Sequence, residues 1–155
     1  MDKNGKTIVR RVNCKSWHCS YCGPRRAALS KHRIAASAEK LGLNYFWTLT
    51  LPKGLAPNPL TEVKRIRKSF NKLREYLRRE FGGAPRYICV LEFTQAGVPH
   101  LHVLWYRYID HAWMSQSWAD LGAGYVVWVK KVTAVKVARY LSKYLTRDLF
   151  ESAPK

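Results

Sequence analysis

The chain predicts an α+β domain, with a central antiparallel β-sheet and helices packed on it. Three observations carry this. Short β-branched and aromatic runs alternate with amphipathic helical stretches. Two strand-like runs, RYICVLEFT and PHLHVLWYRY, are separated only by QAGV, which is a hairpin spacing. At 155 residues, 47% of them hydrophobic and 13% aromatic, the chain is long and apolar enough to bury one core.

Taken in order, residues 1–24 are a basic, cysteine-bearing arm, expected to form a zinc knuckle ahead of one compact unit over 25–155. Gly23 and Pro24 punctuate the chain before an alanine-rich helical stretch from about Arg25 to Leu41, which Gly42 ends. NYFWTLTLP reads as a strand stopped by Pro52, and Lys53 to Leu60, with Pro57 and Pro59, as a loop. Thr61 is expected to cap a long helix. Its apolar face is Val63, Ile66, Phe70, Leu73, Leu77 and Phe81, at three- and four-residue steps, and its other face is crowded with lysine and arginine. Gly82 and Gly83 end it, and the hairpin follows. Asp110 to Leu121 predicts a short amphipathic helix, GYVVWVKKV a fourth strand, and Thr133 to about Leu149 a final helix. No internal repeat or low-complexity tract interrupts this order.

Charge narrows the function classes. Lys and Arg number 28 against 10 Asp and Glu, a formal net charge of +18. Such an excess repels itself until an anionic partner neutralises it, and a phosphate backbone is the usual one. The basic residues are spread along the chain and not gathered on one lipid-facing helix, which disfavours a membrane surface. No stretch approaches the roughly 20 consecutive apolar residues of a membrane span, and none follows the basic N-terminus as a secretory signal requires. The chain is therefore expected to be soluble and cytoplasmic.

GVPHLHVLWY places His100 and His102 one residue apart on a strand, so both point to the same face while Leu101 and Val103 point to the other. Two neutral imidazoles on one face can share a metal ion. Ile88, Val90 and Glu92 share one face of the preceding strand, and across a hairpin Glu92 can come close to the histidines, although register is not fixed by sequence. Two imidazoles and one carboxylate hold a divalent cation and leave positions open for water or a phosphate oxygen. The plainer reading is two hydrogen-bonded histidines and a glutamate paired with an arginine.

RYLSKYLT places Tyr140 and Tyr144 about 40° apart around a helix, between an apolar stripe and a polar one that carries Lys136, Lys143 and Arg147. A half-buried tyrosine beside lysines can act as a nucleophile, because positive charge favours phenolate and also grips phosphate. Amphipathic core tyrosines with surface lysines would give the same pattern. At the N-terminus, NCKSWHCSYCGP crowds Cys14, Cys19 and Cys22 into a C-x4-C-x2-C knuckle that suggests structural Zn²⁺ before a disulfide. A closed site needs a fourth ligand, for which His18 and His32 are candidates. Cys89 is a weaker one, being on the strand face away from Glu92. Six tryptophans, Trp17, Trp47, Trp105, Trp113, Trp118 and Trp128, could stack on unpaired bases, but most tryptophans serve a core.

In this order the motifs resemble the HUH endonucleases, specifically the two-tyrosine, phage A-protein-like branch of rolling-circle replication initiators of small phages and plasmids. FWTLTLP is similar to the family's first motif, VLEFTQAGVPHLHVL to its histidine–hydrophobic–histidine motif with a preceding acid, and YLSKY to its Tyr-x-x-Lys-Tyr motif. Together these cover roughly residues 10–149. A cysteine knuckle ahead of the nuclease core also occurs in some phage-type initiators.

The resemblance implies a ferredoxin- or RRM-like palm and an enzyme that nicks and joins single-stranded DNA at an origin or origin hairpin. By it, His100, His102 and Glu92 would bind Mg²⁺ or Mn²⁺. Tyr140 would attack to give a 5′-phosphotyrosine and a free 3′-OH, Tyr144 would serve the second transfer, and Lys143 would position the phosphate. The chain carries no Gly-rich phosphate-binding loop with lysine, so a host helicase and polymerase would be partners in a bacterial cytoplasm. Two rival readings remain: a single-strand transposase or relaxase of the same fold, and a zinc-containing nucleic-acid-binding protein without catalysis.

Overall fold

The computed structural model describes residues 14, 19–52, 59–94, 96–125, 127–133, 136, 140 and 141. Among them the elements run α1 (Cys22–Lys40), β1 (Tyr45–Thr50), α2 (Pro59–Phe81), β2 (Tyr87–Phe93), β3 (Pro99–Trp105), α3 (His111–Asp120) and β4 (Val127–Lys131). The strands form one antiparallel sheet in the order β2-β3-β1-β4, giving the α+β architecture expected from the sequence. Among the described residues no helix is long and apolar enough to cross a membrane.

Helix α1 begins at Cys22, three residues before the expected start at Arg25. Gly23 and Pro24 do not delay it, because proline in a first turn lacks only an N–H that has no helical partner there. The side chain of Tyr21 does not cap the helix. Instead Cys22 N–H donates to Cys19 Sγ at 3.3 Å and Gly23 N–H to the Cys19 carbonyl at 2.8 Å. The other end closes as the glycine signal predicts. Gly42 takes φ +64°, its N–H donates to Glu39, and Leu43 N–H donates to Ala38, which satisfies the last carbonyls.

The cap assigned to Thr61 is corrected: α2 starts two residues earlier, at Pro59, again a proline at a helix start. The apolar stripe is as expected, with Ile66, Phe70, Leu73 and Leu77 buried. Helix α3 begins after Asp110, whose carboxylate accepts from Trp113 N–H at 2.9 Å. The final helix expected beyond Thr133 lies outside the described residues except at Lys136, Tyr140 and Leu141.

Alternation along the strands gives the sheet two different faces. On one, Trp47, Leu49, Leu101, Val103, Trp105 and Val127 form the main core with α2 and with Met114 and Trp118 of α3. The indole N–H of Trp118 donates to the Thr50 carbonyl at 3.1 Å, tying α3 to the end of β1. On the other face, Phe46 and Leu104 pack with Ala38 of α1, Leu43 and Leu141. This second core covers only part of its face. Beyond it, on the same side, stand Thr48, Glu92, His100 and His102. Strand β3, sandwiched between the two cores, is buried at all but one of its seven positions, which explains its near-continuous hydrophobic run.

Candidate metal and nuclease site

The turn between β2 and β3 sets the geometry. Thr94 N–H donates to the Val98 carbonyl at 2.9 Å, Gly97 N–H to the Thr94 carbonyl at 2.9 Å, and Val98 N–H to the Thr94 hydroxyl at 3.1 Å. Gly97 supplies the positive φ, +75°, that a short hairpin loop needs. The resulting register sets Glu92 directly opposite His100 and Val90 opposite His102. Directly paired residues share a face, so the carboxylate and both imidazoles converge.

Three ligand atoms meet at one point. His102 Nε2 lies 2.6 Å from Glu92 Oε2, His100 Nε2 lies 3.0 Å from the same oxygen, and the two Nε2 atoms are 3.0 Å apart. Glu92 and His102 are only 4% and 3% exposed. Three lone-pair atoms this close need cations between them, and protons on one or two of them satisfy the set incompletely. The donor set and its spacing fit a divalent ion: ligand atoms about 3 Å apart form one face of an octahedron with bonds of about 2.1 Å. The structure thus brings together all three side chains named from the sequence as a metal group.

Burial holds the His102 imidazole below its ordinary value of 6.5. The Glu92 hydrogen bond opposes that shift and the neighbouring His100 adds to it. A neutral ring is the form that binds metal. Thr48, directly across β1 from His102, places its hydroxyl 3.1 Å from His102 Nδ1. A hydroxyl can donate or accept, so it pairs with either tautomer. When Nε2 faces a metal, Nδ1–H donates to Thr48 and fixes the ring. Phe46 stacks on the same imidazole at 5.2 Å. Neither role is readable from the sequence: both residues lie in the TLT and FWT runs, but their contact with His102 depends on a pairing between strands about fifty residues apart.

Tyr140 stands on this face too. Its ring lies edge-on to His102 at 5.8 Å and to Phe46 at 5.3 Å, and it is 43% exposed. Lys143 and Tyr144 lie outside the described residues, as does His18. The strongest basic run among the described residues is elsewhere. Helix α2, with Lys64, Arg67, Lys68, Lys72 and Arg74 exposed or half-exposed, packs on the opposite face of the sheet.

A second group gathers at the N-terminus of α1. The sulfurs of Cys14, Cys19 and Cys22 all lie within 4.8 Å of one another. Backbone N–H donors from Cys22 and Tyr21, with a smaller contribution from Cys14, lower the Cys19 thiol to about 7, toward the thiolate a metal requires. His32 is exposed on α1 and does not join this cluster. Cys89 is remote from it, on the α2 side of the sheet, where burial pushes its thiol up to about 12 despite the nearby Arg74 and Arg67. That shift marks a small core residue, the plainer of its two readings.

The two buried groups give stability opposite slopes with pH. The His102 value is depressed in the fold, so in the metal-free protein its contribution is present above 6.5 and is lost as pH falls below it. The Cys89 value is raised, so its contribution is present below 9.0 and is lost as pH climbs toward 12. Urea unfolding in EDTA across pH 5 to 10 is expected to show both slopes, and Cys89→Ala is expected to remove only the alkaline one.

A family model for replication-associated proteins of the ORF2 and gene 2 protein type matches residues 44–149, which includes every strand of the sheet and the metal-ligating trio. No curated protein and no solved structure matches the chain.

Proposed function

The chain belongs to this family of replication-associated proteins, which are rolling-circle replication initiators, and from that premise we propose that it nicks and rejoins single-stranded DNA with Tyr140 as nucleophile. The observation that carries this reading is the convergence of Glu92, His100 and His102 on one point, on the same side of the sheet as Tyr140. The set matches the HUH pattern noted in the sequence. A purely DNA-binding protein has no need of it.

A divalent ion, Mg²⁺ or Mn²⁺, held by the three side chains would act as Lewis acid on the scissile phosphate. Everything else falls to the chain. Thr48 and Phe46 orient His102, and Glu92 keeps both imidazoles facing one position. The Tyr140 oxygen, on losing its proton, bonds to phosphorus while the bond from phosphorus to the 3′ oxygen breaks. The products are a 5′-phosphotyrosine and a 3′ oxygen that takes up a proton and serves as primer. Lys143 would hold the phosphate, and Tyr144 would make the second transfer that releases the product. Because the phosphodiester energy stays in the tyrosyl bond, no nucleotide is consumed. Unwinding and synthesis would come from a host helicase and polymerase.

The cysteine cluster is proposed as a Zn²⁺ knuckle whose role is structural: it would pin the first turn of α1, which begins at Cys22. His18 remains a candidate for the fourth position. Metal analysis of the purified chain is expected to give one zinc per molecule, lost in Cys19→Ser; a full zinc content in that variant would remove the knuckle from the account.

The test of the nuclease is a denaturing gel with labelled single-stranded DNA from an origin, run with Mn²⁺ or with EDTA. A protein–DNA adduct is expected with Mn²⁺. Chelation or His102→Ala should slow its formation about a thousandfold, since a Lewis-acid metal supplies several kcal/mol. Tyr140→Phe should abolish the first adduct. Binding with no adduct under any condition would move the protein to the non-catalytic reading.

A further inference from the structure

A cavity of about 510 Å³ opens beside the histidines, on the same face of the sheet. Its lining includes Phe46, Trp128, Lys130, Val132, Lys136 and Tyr140. The register places it next to the metal-ligating group: His102 is paired with Thr48 across β3 and β1, and Thr48 with Trp128 across β1 and β4. A single row of side chains therefore runs from the imidazole to the indole, and adjacent strands lie about 4.8 Å apart.

Trp128 is the unusual tryptophan among the described residues. Trp47, Trp105 and Trp118 are buried and Trp113 half-buried, whereas Trp128 is 50% exposed. Core packing does not account for an indole left half in water on a strand next to a cavity. Phe46 forms the floor, meeting Trp128 edge-on at 6.2 Å and Tyr140 edge-on at 5.3 Å, so the two exposed rings stand as walls on either side of it. The rim carries Lys130 and Lys136, both exposed, and among the described residues no carboxylate lines the cavity. Apolar aromatic walls suit a flat ring, and a cationic rim suits the phosphates attached to it. A base within a duplex is already stacked and cannot enter, so the occupant is an unpaired nucleotide.

We propose that this cavity seats one unpaired nucleobase of the single strand, stacked on Trp128, and so fixes which phosphate lies at the histidines. The proposal rests on the single-stranded-DNA reading above. It makes Trp128 a positioning and specificity residue, with Lys130 and Lys136 holding the backbone on either side.

The test is binding of a fluorescently labelled single-stranded origin oligonucleotide to the whole chain by anisotropy in EDTA, where no chemistry proceeds. Trp128→Ala is expected to weaken binding about 5- to 150-fold, the range for loss of one stacked base, and Trp128→Phe much less. An abasic site moved along the oligonucleotide should cost wild-type protein a similar factor at one position only, and cost Trp128→Ala nothing further there. Equal affinity of wild type and Trp128→Ala, or a wild-type response indifferent to the abasic position, overturns the pocket. Should Trp128→Ala fail to fold by circular dichroism, Trp128→Phe and the abasic scan on wild type decide the matter alone. Failure of the pocket leaves adduct formation on the gel intact. Absence of any adduct with the abasic response preserved would sink the nuclease and keep the pocket. No binding of single-stranded DNA at all would end both.

Discussion

The structure depends on the register of the β2–β3 hairpin. With Glu92 opposite His100 and Val90 opposite His102, a carboxylate and two imidazoles share one face and meet within 3.0 Å. A slip of one residue would turn both histidines into the main core and Leu101 and Val103 toward solvent. The register is therefore held twice, by the Thr94–Val98 turn and by the apolar residues that alternate with the histidines and pack against α2. The same alternation that makes a site on one face makes a core on the other.

That division organises the rest of the molecule. Helices α2 and α3 seal one face, and α1 with Leu141 covers part of the second. The uncovered part holds the metal-ligating trio, Tyr140 and the aromatic cavity at β4. Charge is divided as well. The dense basic stripe of α2 faces away from the site, while Lys130 and Lys136 lie beside it. The α2 stripe thus contributes to the long-range field that draws a polyanion in, and the few lysines near the cavity are those placed to contact the strand at the site.

Much of this is legible in the sequence because it is local. The period of α2, the hairpin, and the shared face of His100 and His102 follow from spacing within a single element. What escapes a sequence reading is non-local or depends on one backbone detail. Thr48 reaches His102 only through the pairing of β1 with β3, and Trp128 is distinguished from the other tryptophans only by where β4 lies at the sheet edge. Both expected helix starts fall late for one reason: proline reads as a stop in the sequence, whereas here it sits in a first turn. The membership of residues 44–149 in a replication-initiator family agrees with the resemblance drawn from the motifs at the level of replication. The covalent chemistry is a reading of side chains and their placement.

The central claim is that Glu92, His100 and His102 hold one divalent ion through two imidazole nitrogens. Electron spin echo spectroscopy of the Mn²⁺-loaded chain addresses it directly, because nitrogen bound to Mn²⁺ modulates the echo. The account predicts modulation from two nitrogens, reduced to one in either His100→Ala or His102→Ala. Mn²⁺ bound with no nitrogen modulation, or bound equally well after both substitutions, would contradict it.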